Sequence, residues 1–206
     1  MEKANNMSRG RWKLLLVLAV CAAPLIASYF TYYVIKPKGG VTNYGALIDP
    51  RQYPIPAMAS TTLDGKPARL EDYKGKWIML KVGPSDCQQD CQDQLFAMRQ
   101  LRTMQGKAMD RVERVWLITD NAPLETMLLR VNDGTRMLRA PAGVVEKWLP
   151  LENGSQPDRA SDHVYLIDPL GNLMMRFPKG AVSSDVEKVK RVQKDIAKLL
   201  KASAIG

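Results

Sequence analysis

Apolar positions fall into three successive patterns along the chain: an unbroken run near the N-terminus, short apolar blocks in the middle, and a three-and-four spacing at the end. The block Trp77 to Val82 reads as a buried central strand, closed by Gly83 and Pro84. A helix is expected from about Cys87 to Gln105, with Ser85 or Asp86 as N-cap and Gly106 at C′. Cys87, Cys91, Leu95, Met98 and Leu101 share one face of it. "RVERVWLITD" gives a strand ending at Asp120, "PLETMLLRVN" a helix, "TRMLRA" a short strand and "PAGVVEKWLP" a further helix. "HVYLIDPLGNLMMRFP" reads as a hairpin turning at Pro169 to Asn172. The last segment carries a capping box, Ser184 with Glu187, and places Val186, Val189, Val192, Ile196 and Leu199 on one stripe. Its lysines and Arg191 read as the solvated face, with a membrane surface as their alternative partner. No internal repeat is present.

The N-terminal run is of a different kind. Residues 14–35 carry no charge, and at about 1.5 Å rise per residue they reach across a hydrocarbon core of about 30 Å. Lys3, Arg9, Arg11 and Lys13 precede the run, and Tyr29, Phe30, Tyr32 and Tyr33 stand at its far end. The expectation is a single-pass inner-membrane anchor with residues 1–13 in the cytoplasm and the rest exported to the periplasm. A cleaved signal peptide is the competing reading, because "CAAP" and "IAS" offer small residues near the end of the apolar stretch. Residues 36–56, rich in Gly and Pro, read as a linker, and residues 57–206 as one domain. Cys21 lies inside the span and reads as a packing residue.

Charge changes little. The formal excess of +9 is concentrated at the two ends, and no basic patch interleaved with aromatics points to nucleic acid. No phosphate loop, H-E-x-x-H, serine–histidine–acid set or paired carboxylate motif is present, which leaves hydrolase and kinase readings without support.

The chemistry concentrates in "PSDCQQDC". Cys87 and Cys91 stand at i and i+4 at a helix start, where the dipole and unpaired N–H groups favour thiolate. In an oxidising compartment the pair can form a disulfide. Two thiolates and the imidazole of His163, the chain's one histidine, also form a donor set suited to copper. A permanent staple is the bland alternative, and for His163 it is a hydrogen-bonded residue at a strand start. Whether the ring points to the cysteines depends on a one-residue register. Met98, Met104, Met174 and Met175 read as core, and Asp120 and Asp168 as turn formers.

Strand, cysteine loop, helix, then strand, helix and a terminal hairpin plus helix is the order of an α/β thioredoxin-like domain with a central mixed sheet flanked by helices. "LDGKPARLEDYKGKWIMLKVGPSDCQQDC", with its C-x-x-x-C spacing, and "HVYLIDPLGNLMMRF" resemble the Sco/SenC family of copper chaperones for cytochrome c oxidase. Where that family carries a proline after each cysteine, this chain has Gln88 and Gln92. Where it carries its histidine, this chain has Ala160, with His163 nearer the strand. The resemblance implies a membrane-anchored assembly factor whose partners are oxidase subunits or other assembly factors. Cys87 and Cys91 would then either hold copper with His163 or act as a redox dithiol. A general periplasmic thiol–disulfide oxidoreductase, with Cys87 attacking and Cys91 resolving, and a non-catalytic scaffold are the alternatives.

Overall fold

Four of the five core strands are built from uninterrupted or alternating apolar stretches, and the sheet assembles around the most apolar of them. In the computed structural model, which describes residues 3–35, 43–151 and 157–203, the strand Trp77–Gly83 (β3) is buried at every position. Two further strands, Ala46–Leu47 (β1) and Thr61–Thr62 (β2), precede it. Val112–Ile118 (β4), Arg136–Arg139 (β5), Val164–Ile167 (β6) and Leu173–Phe177 (β7) complete one sheet of order β1-β7-β6-β3-β4-β5-β2. β3 runs parallel to β4 and antiparallel to β6, so the sheet is mixed.

Side-chain alternation divides the core between the two faces. Met79, Trp116, Val164 and Leu166 point to one face. That face is covered by the helices Gln89–Thr103 (α2), through Leu95, Met98 and Leu101, and Val186–Ala202 (α5), through Val192, Ile196 and Leu200. Ile78, Leu80, Val82, Tyr165 and Ile167 point to the other. There they meet Leu70 and the short helix Ala142–Trp148 (α4), through Val145 and Trp148. The remaining short helix, Thr126–Val131 (α3), lies between β4 and β5 in sequence. The β6–β7 turn follows the sequence reading: the Asn172 N–H donates to Asp168 at 2.7 Å, and Gly171 adopts φ +92°.

Several boundaries move. α2 begins at Gln89, with Gln88 as its N-cap, so Cys87 lies outside the helix. It ends at Thr103, and Gly106 opens a tight turn to Arg111. The N-cap of α5 is Asp185, whose carboxylate accepts from the N–H groups of Glu187 and Lys188. Ser184 therefore does not cap it, and Val186 is exposed.

The expected linker is the largest revision. Residues 36–42 lie outside the described residues, but residues from Asn43 onward belong to the folded unit. β1 pairs with β7, and Ile55 is buried. Asp195 on α5, 2% exposed, accepts from the N–H groups of Tyr44 at 2.7 Å and Gly45 at 3.0 Å. A Cβ at Gly45 would stand 2.6 Å from the Met175 sulfur, so glycine is required there by space. Two-residue pairings show no periodicity in a sequence, yet they satisfy the backbone groups of a sheet edge.

The N-terminal unit is helical over Lys3–Phe30 (α1) and ends in a wider turn at Thr31–Ile35. Within it, Arg11–Val34 is long and apolar enough to cross a membrane.

Candidate functional site

The loop after β3 is held from the neighbouring strand. The Ser85 N–H donates to Asp120 Oδ2 at 3.0 Å, while Arg139 donates to the Asp120 carbonyl at 2.6 Å. Asp120, expected only to form a turn, thus secures the residues leading into Cys87. Cys87 and Cys91 are joined by a disulfide, with Cα atoms 5.2 Å apart. The Gln92 side chain donates to the Cys87 carbonyl at 2.9 Å, tying the segment before the helix to its first turn.

The two sulfurs have unequal surroundings. Cys87 is 6% exposed and packs with Leu95 and Met98, whereas Cys91 is partly exposed and lines a cavity of about 350 Å³. Cys87, the member expected from the sequence to attack, is thus the buried one of the pair. A residue just before a helix has no fixed face, and here it turns into the core; Cys91, in the first turn, faces the cleft.

Lys81, from β3, lies in the same cavity. It is 2% exposed, and its ammonium donates to the carbonyls of Val82, at 3.0 Å, and Ser161. Burial lowers its pKa to about 8, opposed by the charges of Asp162 and Asp90. Sequence reasoning passed over it, although a lone charge inside "WIMLKVG" was the available signal. Asp86, Asp90 and Asp93 also border the cavity, and Lys179 is paired with Asp162 at 2.9 Å.

His163 is not brought to the cysteines. Val164 pairs with Lys81 and points to the α2 face, so the preceding residue belongs to the opposite one. The His163 ring is fully buried and stands edge-on to Tyr165 at 6.0 Å. Nδ1 donates to the Phe177 carbonyl at 2.9 Å, and Nε2 is hydrogen-bonded to Asp158 Oδ1 at 2.6 Å. Both ring nitrogens are thus engaged by partners other than the cysteines. Among the described residues no group of three or more His, Cys, Asp or Glu comes together as a metal site. The three-ligand copper site expected from Cys87, Cys91 and His163 does not fit this arrangement: the sulfurs are bonded to each other and the imidazole is committed elsewhere.

A sheet strand leading into a cysteine pair at a helix start, with α2 and α5 on the same face, defines a thioredoxin-like disulfide domain. The chain matches the family described as "Transmembrane-like, thioredoxin-like, C-terminal domain" over residues 77–203, and "Transmembrane-like, N-terminal domain" over residues 7–34. It belongs to this transmembrane-like, thioredoxin-like family. Among solved structures it is similar to a SCO1/SenC family lipoprotein from Bacillus anthracis, at 19% identity and TM-score 0.53, covering 76% of this chain and 98% of that one. Copper-bound ScoI from Arabidopsis thaliana is similar at 17% identity and TM-score 0.52, covering 72% and 99%. A Bacteroides thetaiotaomicron protein assigned as a protein disulfide isomerase is similar at 19% and 0.52, covering 77% and 94%. These likenesses establish the shared fold. No curated protein matches the sequence.

Proposed function

We propose that this protein is a membrane-anchored thiol–disulfide factor in cytochrome c oxidase assembly, and that it reduces a disulfide in an oxidase subunit so that the subunit's thiols can receive metal. The observation that carries the reading is the Cys87–Cys91 disulfide with Cys91 on an open cleft and Cys87 packed beneath it. The oxidase as destination rests on the Sco/SenC resemblance of the two sequence segments around the cysteines and β6–β7. The periplasmic side rests on the basic residues that precede the apolar helix.

The chemistry follows ordinary exchange. A donor dithiol first reduces the pair, adding two electrons and two protons. The Cys91 thiolate then attacks one sulfur of the partner disulfide, forming a mixed disulfide and releasing a partner thiolate, which takes up a proton. The Cys87 thiolate attacks Cys91, restores the internal disulfide and releases the second partner thiol. Position in the first turn of α2 favours the Cys91 thiolate.

The test uses the full chain in detergent micelles, reduced, against an oxidised two-cysteine peptide from the copper-binding oxidase subunit. Stoichiometric reduction of the peptide is expected. Cys87→Ser should trap a mixed disulfide through Cys91, and Cys91→Ser should abolish the reaction. No peptide reduction and no trapped species would overturn the reading. One equivalent of Cu(I) bound by the reduced chain and lost in His163→Ala would replace it with copper delivery, in which copper is the cargo. Equal turnover of insulin disulfides would make it a general oxidoreductase. Full oxidase activity with the double Cys87→Ser, Cys91→Ser chain would make it a scaffold.

A further inference from the structure

The cleft beside Cys91 poses an electrostatic problem that the cysteine pair does not solve alone. Three carboxylates, Asp86, Asp90 and Asp93, border it together with Asp162, and like charges disfavour a thiolate formed among them. The cations available differ in kind. Lys179 is largely exposed and engaged with Asp162, so solvent screens it. Arg159 also lines the cavity. Lys81 is buried at the cavity, held by two carbonyls, with its ammonium 3.7 Å from the position a Cβ would take at Gly83, at the end of β3 where the cysteine loop begins.

We propose that Lys81 is a positioning residue for thiol–disulfide exchange: its buried ammonium, in the cavity that Cys91 lines, holds the Cys91 sulfur as thiolate against the surrounding aspartates. The proposal rests on the redox reading above and adds to it the group that sets the reactive form of the sulfur. A charge removed from water acts through a lower effective dielectric than an exposed one, so a single buried lysine outweighs an exposed lysine at similar range. Two carbonyl acceptors fix the amine without neutralising it, which leaves its charge available to the cleft.

Proton affinity supports the role. Desolvation brings Lys81 to about 8, close to the usual thiol range of about 8.5. Because the ammonium and the Cys91 thiol share one cavity, their charges interact and their titration runs in two steps belonging to both groups. Asp90 from α2 and Asp162 from the turn before β6 retain the proton on Lys81, so the ammonium predominates at neutral pH and is lost above pH 8.

The experiment reads the sulfur directly. In the full chain carrying Cys21→Ser and Cys87→Ser, Cys91 is the one remaining cysteine, and its iodoacetamide alkylation rate is followed from pH 5 to 10. The Lys81-containing chain should give a two-step profile. Lys81→Met should give a single step raised by about one pH unit, with alkylation about tenfold slower at pH 7. A folded Lys81→Met chain with the same profile would overturn the proposal. Should that variant fail to fold, Asp162→Asn decides: removing a charge that holds the proton on Lys81 should move both steps to lower pH, and an unmoved profile would count against the role. Because no partner disulfide enters this measurement, failure of peptide reduction would strike the functional reading alone.

Discussion

His163, at the entry to β6, and Lys81, on the adjoining β3, are both buried nitrogen-bearing side chains near the same end of the sheet. The chain uses them in opposite ways. His163 gives each ring nitrogen to a defined partner, one of them a carboxylate, and lies on the face away from the disulfide. Lys81 is held by carbonyls, keeps its charge unpaired with a bonded carboxylate, and reaches the cavity lined by Cys91. A histidine with every valence satisfied serves the fold, while a lysine left incompletely neutralised beside a reactive pair serves chemistry.

The comparison is open to measurement, and the largest effect is expected at His163. His163→Ala removes a hydrogen-bond partner from the Phe177 carbonyl and from Asp158 and opens a cavity in place of a fully buried ring, a loss of about 4 kcal/mol in urea unfolding. Reduction of the disulfide in the surviving folded protein should be unchanged. A stable variant with impaired exchange would move His163 to the chemical side.

Asp195 extends the anchored class to α5. Its carboxylate is buried and accepts two N–H groups, so Asp195→Ala should cost about 3 kcal/mol and raise hydrogen exchange at Tyr44 and Gly45. Exchange that is unaltered at those amides would remove it from that class.

Lys81 should instead reveal itself through pH. Its folded pKa is lowered to about 8, below the unfolded value, so the unfolded chain binds more protons as pH rises from 8. Stability therefore increases with pH through that window, by about 2 kcal/mol between pH 8 and 10. Tyr165, raised by burial, acts in the reverse sense above pH 10, which bounds the window. Urea unfolding of Lys81→Met should lack the rise; a rise of equal size there would assign it to another group.

The smallest effect is expected at Asp120, partly exposed and bonded to Ser85. Asp120→Ala should lose about 1 kcal/mol and speed reduction of the disulfide by dithiothreitol about twofold, by loosening the loop before Cys87. An unchanged reduction rate would show that the loop is held by its other contacts.

Why the fold was legible and part of the site was not follows from the range over which each signal acts. Trp77–Val82, the β6–β7 turn and α5 announce themselves through apolar periods and turn residues that are local in sequence. The cysteine pair was equally visible, because its two members stand four residues apart in sequence. The face taken by His163 depends on the register of β6 against β3, and a single-residue difference decides it. β1 pairs with the distant β7, and the Asp195 contacts join residues separated by 150 and 151 positions; no local pattern encodes such meetings. Lys81 falls between these cases: the charge in an apolar strand was plain in the sequence, but its cavity was not.

Asp195 has a mechanical consequence as well. The described fold begins at Asn43, one residue before the first amide that Asp195 grips. A load applied at Asn43 meets two hydrogen bonds to a buried carboxylate, at Tyr44 and Gly45, before it meets the β1–β7 pairing. The helix α5, packed through Val192, Ile196 and Leu200, backs that grip. The arrangement works as strain relief on a cable: a pull on Asn43 loads the clamp on α5 at the β1 edge of the sheet, separated by β7 and β6 from β3 and the cysteine loop that follows it.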